Sequence, residues 1–476
     1  MNNETTTDHY TSGYGTDIIL FIITVVSGLG IWMIFRNPPE TDDTHTKEAV
    51  TNKKEENSVE ETAEKILLPS IETLEKHWHR FRGPFGTGIC TSKHIPASWS
   101  VKTGSGVQWQ SSVPLPGASS PVVWGGSIFV TGGKESEYHL YCYDADSGER
   151  LWTLSHNPTV FGRGRTFEVW GKAGYAVPTP VTDGKRVYAL FSNLDIVCSD
   201  PAGNRVWSGN LGFPGLPYGY ASSPVRYRDL LIVMLDMGRS DGNRSRMVAL
   251  DAATGTTVWE KERPVAASWT TPIIIRRTGG DQLVTLAEPG LRSYDPASGK
   301  EIWHADCVRG EIAPSPVYAK EMVIAAQDGS DLAAVRVTGR GNVTETHTAW
   351  RVPGDLPDTV SPVAAGDLVF TVHSSGYLSC FDMSDGSELW ITELGERFEA
   401  SPVAAHNSIY LLSSEGTMIL FRPDRKEYRE TGRMQFGEKC QATPAFANGR
   451  IYVRSMNMLF SISGDDKKET GSEQNI

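Results

Sequence analysis

Three groups of residues have the types and spacing to bind or transform another molecule. The first lies in residues 155–177, SHNPTVFGRGRTFEVWGKAGYAV, where Arg163, Arg165 and Lys172 are interleaved with Phe167, Trp170 and Tyr175. Guanidinium groups beside aromatic rings favour a protein or an anionic ligand over a neutral one. The second is residues 236–246, DMGRSDGNRSR, which sets Arg239, Arg244 and Arg246 against Asp236 and Asp241. Two acids among three arginines is poor oxygen chemistry for calcium. The third group is scattered: Tyr220, Trp269, Glu311, Asp358, Arg397 and Glu399 each stand a few residues ahead of a Ser/Thr-Pro dipeptide. Aromatic anchors beside polar groups are the composition of binding patches. Common reaction signatures are missing, since the chain has no G-x-S-x-G, no P-loop and no H-E-x-x-H. The alternate histidines of His77-Trp78-His79 have no Cys or carboxylate partner close in sequence, so no metal site is expected there.

What must position these residues is a repeat. Eight Ser/Thr-Pro dipeptides, with prolines at 121, 180, 224, 272, 316, 362, 402 and 444, each open an apolar run. Their spacings of 59, 44, 48, 44, 46, 40 and 42 residues fall in the range of solenoids and propellers. Within Ser361–Trp390, SPVAAGDLVFTVHSSGYLSCFDMSDGSELW, four short β-type runs alternate with turn residues. Between the third and fourth runs an Asp and a Gly recur, as Asp144 with Gly148, Asp200 with Gly203 and Asp251 with Gly255. That pairing suits a tight hairpin, in which Asp bonds the turn backbone and Gly takes positive φ. The fourth run carries Trp152, Trp207, Trp259, Trp303, Trp350 and Trp390, with Tyr428 in the seventh repeat. One aromatic per repeat is expected to cap the gap between neighbouring sheets.

The eighth repeat has only three runs, and the missing one is expected at the other end, in residues 106–113, GVQWQSSV. A strand from the N-terminus would close the ring and remove an exposed edge. The expectation is an all-β fold: an eight-bladed propeller of four-stranded antiparallel blades over 77–464. In such a ring the turns into each innermost strand, and the loops between second and third strands, crowd one mouth of the central channel. The residues three places before the prolines, among them Trp269 and Glu399, should face it.

Net charge is −12, but most of it lies outside 77–464, which leaves an almost neutral body. That argues against nucleic acid, which needs a basic stripe. Residues 1–17 read as a polar tail. Residues 18–35, IILFIITVVSGLGIWMIF, carry no charge and would reach about 27 Å as a helix, enough to span a bilayer. With no basic n-region, the segment reads as a retained transmembrane anchor. Residues 36–76 form a charged flexible linker and 465–476 a polar tail. Arg36 and Lys47 follow the apolar run, a small charge bias that by itself would leave the propeller cytoplasmic. The six cysteines do not form a disulfide framework: Cys142, Cys198 and Cys380 share one third-strand position and read as small buried hydrophobes.

The stretches MVALDAATGTTVW and LRSYDPASGKEIW resemble the repeat of the pyrroloquinoline-quinone (PQQ) dehydrogenases and of BamB-like propellers. The entry segment Trp78–Pro84, WHRFRGP, with Tyr175–Pro180 and Tyr220–Pro224, is similar to membrane-anchored PQQ-like propellers of planctomycete-type bacteria. The resemblance implies an extracytoplasmic propeller, against the charge bias. It would also allow PQQ with calcium, yet this chain has no Cys-Cys pair and no segment matching the family's calcium or catalytic motifs. No cofactor is therefore expected, and shared fold does not carry the chemistry over. The leading expectation is a non-catalytic, membrane-tethered module that docks a protein or a cell-envelope polymer. A diverged quinoprotein oxidoreductase and a small-ligand-binding propeller are the alternatives. Channel-facing acids around an aromatic floor would favour an enzyme, and a broad aromatic/Arg patch would favour docking.

Overall fold

In a computed structural model, residues 69–464 are described, apart from 93, 163–166, 170–173, 217, 239–243 and 355. The apolar run 18–35 lies outside the described residues, and among the described residues no helix is long and apolar enough to cross a membrane.

Among the described residues eight sheets form the blades, each with a core of four antiparallel strands; these follow one another in sequence except in blade eight, whose outer strand comes from the N-terminal side. In blade one these are Val122–Trp124, Ser127–Lys134, Glu137–Asp144 and Arg150–His156. Composition explains the order. The second strand of blade three, LLIVML, is buried at every residue, whereas its fourth strand, TVWEKE, is mostly exposed. Continuous apolar runs sit between neighbouring sheets, and polar runs form the outer edge. The core is accordingly a series of interblade layers, such as Phe129 and Cys142 of blade one against Val187 and Val197 of blade two. Val107–Ser112 pairs antiparallel with Met458–Ile462, so the N-terminal strand completes blade eight as expected.

Blade five departs from the repeat. Its third and fourth strands are not joined by an Asp-Gly hairpin; Gly341–Asn342 pairs parallel with the outer strand of blade four, and a short helix, Thr344–His347, follows. Trp303 is consequently held differently from its counterparts. It is fully buried, and its indole N–H donates to Gln282 of its own blade at 3.0 Å.

The segment ahead of the propeller proper does not lie on the surface. Trp78 bridges Val123 of blade one, and the Thr182 N–H of blade two donates to the His79 carbonyl at 3.0 Å. Arg80 reaches Pro272 of blade four at 2.6 Å, and Arg82 reaches Pro362 of blade six. Ile89–Cys90 then runs parallel to the innermost strand of blade seven. Residues 78–90 thus touch the inner strands of blades one, two, four, six, seven and eight, which makes them a plug in the central channel. Their glycines permit the fit. A Cβ on Gly88, at φ +72°, would lie 2.9 Å from the Pro402 carbonyl oxygen.

The histidine pair belongs to this plug. His77 stacks on Trp124 with ring centroids 4.1 Å apart, and burial, then the neighbouring Arg80 charge, lower the pKa of His79 to about 3. The six cysteines are all buried and unpaired.

Candidate functional site

The prolines that open the repeats stand immediately before each innermost strand, and the Ser or Thr ahead of each points around the ring. The Ser120 N–H donates to the Thr179 hydroxyl at 3.0 Å, and the Thr179 N–H donates to the Ser223 hydroxyl at 3.0 Å. The same bond passes from Ser223 to Thr271, Ser315, Ser361, Ser401 and finally Thr443. Each hydroxyl satisfies a buried donor that no strand pairing could reach. This circlet fixes the height and spacing of the loops just upstream, which form the mouth.

Above the circlet lies a cavity of about 580 Å³, with Phe81 of the plug among its lining residues. All eight residues three places before the prolines line it: Ala118, Val177, Ala221, Trp269, Ala313, Thr359, Glu399 and Gln441. Tyr218, Glu311, Gln327 and Asp358 complete the wall. Through Phe81 the plug forms part of this pocket.

Its aromatic side is held firmly. The half-buried Trp269 donates its indole N–H to the Gly219 carbonyl at 3.1 Å, and its ring centroid is 5.8 Å from that of Tyr218. Three acids also line the pocket, Glu311 beside the tryptophan, whose backbone N–H donates to the Ile312 carbonyl at 3.0 Å, with Asp358 and Glu399 from the next two blades. Asp358 accepts from the Ser374 hydroxyl at 2.6 Å and the Ser374 N–H at 3.1 Å. Burial pushes its pKa up, but these bonds outweigh that and hold the carboxyl below the usual range. It is an anion at neutral pH, suited to charge pairing rather than proton transfer. Glu311 and Glu399 are exposed, and among the described residues neither has an ion-pair or hydrogen-bond partner. Gln327 is 7% exposed, and its Oε1 has no partner among the described residues.

The expected site residues divide into distinct sets. Trp269, Glu311, Asp358 and Glu399 meet at the pocket. Arg397 is exposed two residues from Glu399 but does not line the cavity, and Arg244 is exposed away from it. Phe167 is buried against the half-buried Tyr175, their rings 6.0 Å apart. Tyr220 must be corrected from surface to core: it is 1% exposed, and its hydroxyl donates to the Met234 carbonyl at 2.5 Å. Arg163, Arg165, Trp170 and Arg239 lie outside the described residues. Asp236 is no calcium ligand, because both carboxylate oxygens accept from Arg263, at 2.7 and 3.1 Å, in a fully buried pair.

Sequence reasoning missed Phe81, Tyr218 and Gln327. Gln327 sits in a loop between second and third strands, a class already expected at this mouth. Phe81 carried no such signal, since it lies outside the repeat.

The residues do not fit a quinone cofactor. PQQ is a polycarboxylate, and the pocket meets it with three carboxylates and, among the described lining residues, no Arg, Lys or His. No disulfide joins any of the six cysteines. Among the described residues no three His, Cys, Asp or Glu side chains converge to hold a metal.

Comparison with known proteins agrees with this architecture. A family model described as outer membrane protein assembly factor BamB matches residues 97–231, 243–359 and 342–427. The outer membrane protein assembly factor BamB of Burkholderia pseudomallei is 28% identical over 220 residues, 45% of this chain. That match spans about half of the relative's length, 49%. The crystal structure of BamB from Moraxella catarrhalis superposes with a TM-score of 0.55 at 15% identity, covering 76% of this chain and 98% of that one. Quinohemoprotein alcohol dehydrogenase from Comamonas testosteroni superposes at 0.59 and 13% identity, covering 84% and 82%. At such identities the superpositions speak for the fold alone. The family match extends over more than half of the chain, which therefore belongs to the BamB-type outer membrane protein assembly factor family of PQQ-like propellers.

Proposed function

We propose that this chain is a non-catalytic binding propeller that docks a protein partner on the face bearing the mouth pocket. In this reading, residues 18–35 tether it to a membrane and the propeller stands on the extracytoplasmic side. The observation that carries the reading is the mouth pocket itself. Lined by Phe81 of the plug and rimmed by loops from every blade, it offers aromatic and acidic anchors in a wall whose height the hydroxyl circlet sets. Rigid scaffolds that present loops at one end are where binding residues concentrate. Acids do surround an aromatic patch, the arrangement that would favour an enzyme. However, Asp358 is fixed as an anion and the lining residues do not suit a quinone, so the pocket supports capture rather than turnover. Membership of a family named for an assembly factor supports a protein partner.

The test is site-specific photo-crosslinking of the full chain in its native membrane. A photoreactive residue replacing Tyr218, exposed at the pocket, should capture a discrete protein. One replacing Val258, exposed on the outer strand of blade three, should not. Equal capture from both positions, or from neither, would overturn the docking face.

A further inference from the structure

The pocket's chemistry narrows what it can receive. Its polar wall is rich in acceptors: the carboxylates of Glu311, Asp358 and Glu399, and the unpartnered Oε1 of Gln327. No described lining residue is basic, and among the described residues neither Glu311 nor Glu399 is neutralised by an ion pair. A buried amide oxygen without a donor costs stability unless something supplies one. A ligand of many N–H donors and positive charge answers both needs. The rings of Trp269 and Tyr218 add π faces over which a cation is attracted, more strongly where water is excluded.

Beyond the pocket's lining, the plug holds two guanidinium groups whose charge opposes such a guest. Both keep their charge, but neither lines the pocket, and the N–H groups that bond engage backbone carbonyls rather than the mouth acids. Arg80 donates to the Pro272 carbonyl, and Arg82 donates to those of Pro362 and Thr87. Burial alone lowers the Arg82 pKa, to about 9, with no carboxylate opposing it; burial and then Arg276 lower that of Arg80 to about 10. The mouth acids are therefore not paired with the plug.

Resting on the docking reading above, we propose that the mouth pocket receives a cationic side chain, arginine or lysine, from a basic segment of the protein partner. The guest's charge would lie among Glu311, Asp358 and Glu399, its N–H groups would reach Gln327 Oε1, and its stem would pass over Trp269.

The experiment titrates the full chain in detergent with a short peptide carrying three arginines, following tryptophan fluorescence. The same peptide with citrulline in place of arginine keeps the shape and removes the charge. The arginine peptide should bind at least tenfold more tightly than the citrulline peptide. Glu311→Gln with Glu399→Gln should remove at least tenfold of that affinity without moving the melting temperature, because both side chains are exposed. This double variant separates the pocket from general attraction to a chain of net charge −12. Equal binding of the citrulline peptide, or undiminished binding to the double variant, would overturn the proposal. Tighter binding of a neutral trisaccharide would overturn it too. Failure here stays distinguishable from failure of the docking face: crosslinking at Tyr218 would persist in the double variant if docking is right and the cation wrong.

Discussion

The Trp207 indole of blade two lies directly against Gly255 in the hairpin of blade three, and its N–H donates to the Ala252 carbonyl of the same hairpin at 3.1 Å. A Cβ on Gly255 would fall 2.7 Å from that ring, on a backbone whose φ is +75°. The pattern repeats around the molecule, with Trp109 on Gly148, Trp152 on Gly203 and Trp350 on Gly386. The recurring Gly and the recurring Trp are thus one interblade contact, made between successive repeats. Gly255→Ala should cost about 1–3 kcal/mol, combining left-handed strain with overpacking. Trp207→Ala should cost about 3–5 kcal/mol. In the double variant the two costs should fall short of their sum, because the second change relieves the first. Urea unfolding of the four proteins measures this, and strict additivity would show that the contact is not shared.

The hydroxyl circlet makes a separate prediction. The Ser315 hydroxyl accepts the buried Thr271 N–H at 2.9 Å. Ser315→Ala leaves that donor unsatisfied and should cost about 1–3 kcal/mol, while Ser315→Thr, which restores the acceptor, should recover most of it. Melting temperatures of the two variants decide the matter; equal losses would mean that shape, not the hydroxyl, holds the blades.

Asp236 and Arg263 form a buried pair extended by Thr285 and Tyr294, which accept from the guanidinium at 2.9 and 2.8 Å. Burial works against the Arg263 charge, but Asp236 outweighs it and keeps the group protonated. Asp236→Ala should cost about 3–5 kcal/mol by stranding a buried cation. Replacing both, as Asp236→Leu with Arg263→Met, should cost far less. If the double variant is as unstable as the single one, the network specifies the blade junction rather than merely filling it.

The plug predicts a pH dependence. His79 ordinarily titrates near 6.5 but is held near 3 in the folded chain. The unfolded chain therefore takes up this proton first. The stability associated with a neutral His79 is complete above pH 6.5 and is lost as pH falls from there toward 3. Between pH 7 and 5 the loss amounts to about 2 kcal/mol, at 1.36 kcal/mol per pH unit below 6.5. His79→Gln removes that share, so its urea midpoint should fall less than the parent's between those pH values. Parallel curves would place His79 in a more polar setting than the plug described above.

Much of this was legible because it is written locally and repeated. The four runs and the Asp-Gly hairpins specify blade number through residues adjacent in sequence, and the strand-like run at 106–113 signals closure because the eighth repeat lacks its fourth run. The eight positions three before the prolines could be assigned to the mouth for the same reason. Reading Tyr220 as surface failed because proximity to the rim does not say which way a ring turns, and this one enters the core to reach Met234. The register shift before each tryptophan, as between Ala249 and Leu250 in blade three, was equally hidden, though such a bulge re-aims the ring toward the next blade.

The sequence by itself therefore determined the architecture, its closure and the positions that ring the mouth. Tertiary structure decided what the period cannot encode. Arg80 meets a carbonyl 192 residues away and Arg82 one 280 residues away, so the plug and its Phe81 became part of the site only when the ring closed around them. The circlet likewise joins hydroxyls some forty residues apart, from Ser401 to Thr443 for example, 42 residues on. Local pattern sets strands and turns, whereas contacts across a closed channel depend on where every blade ends, and only the assembled ring supplies that.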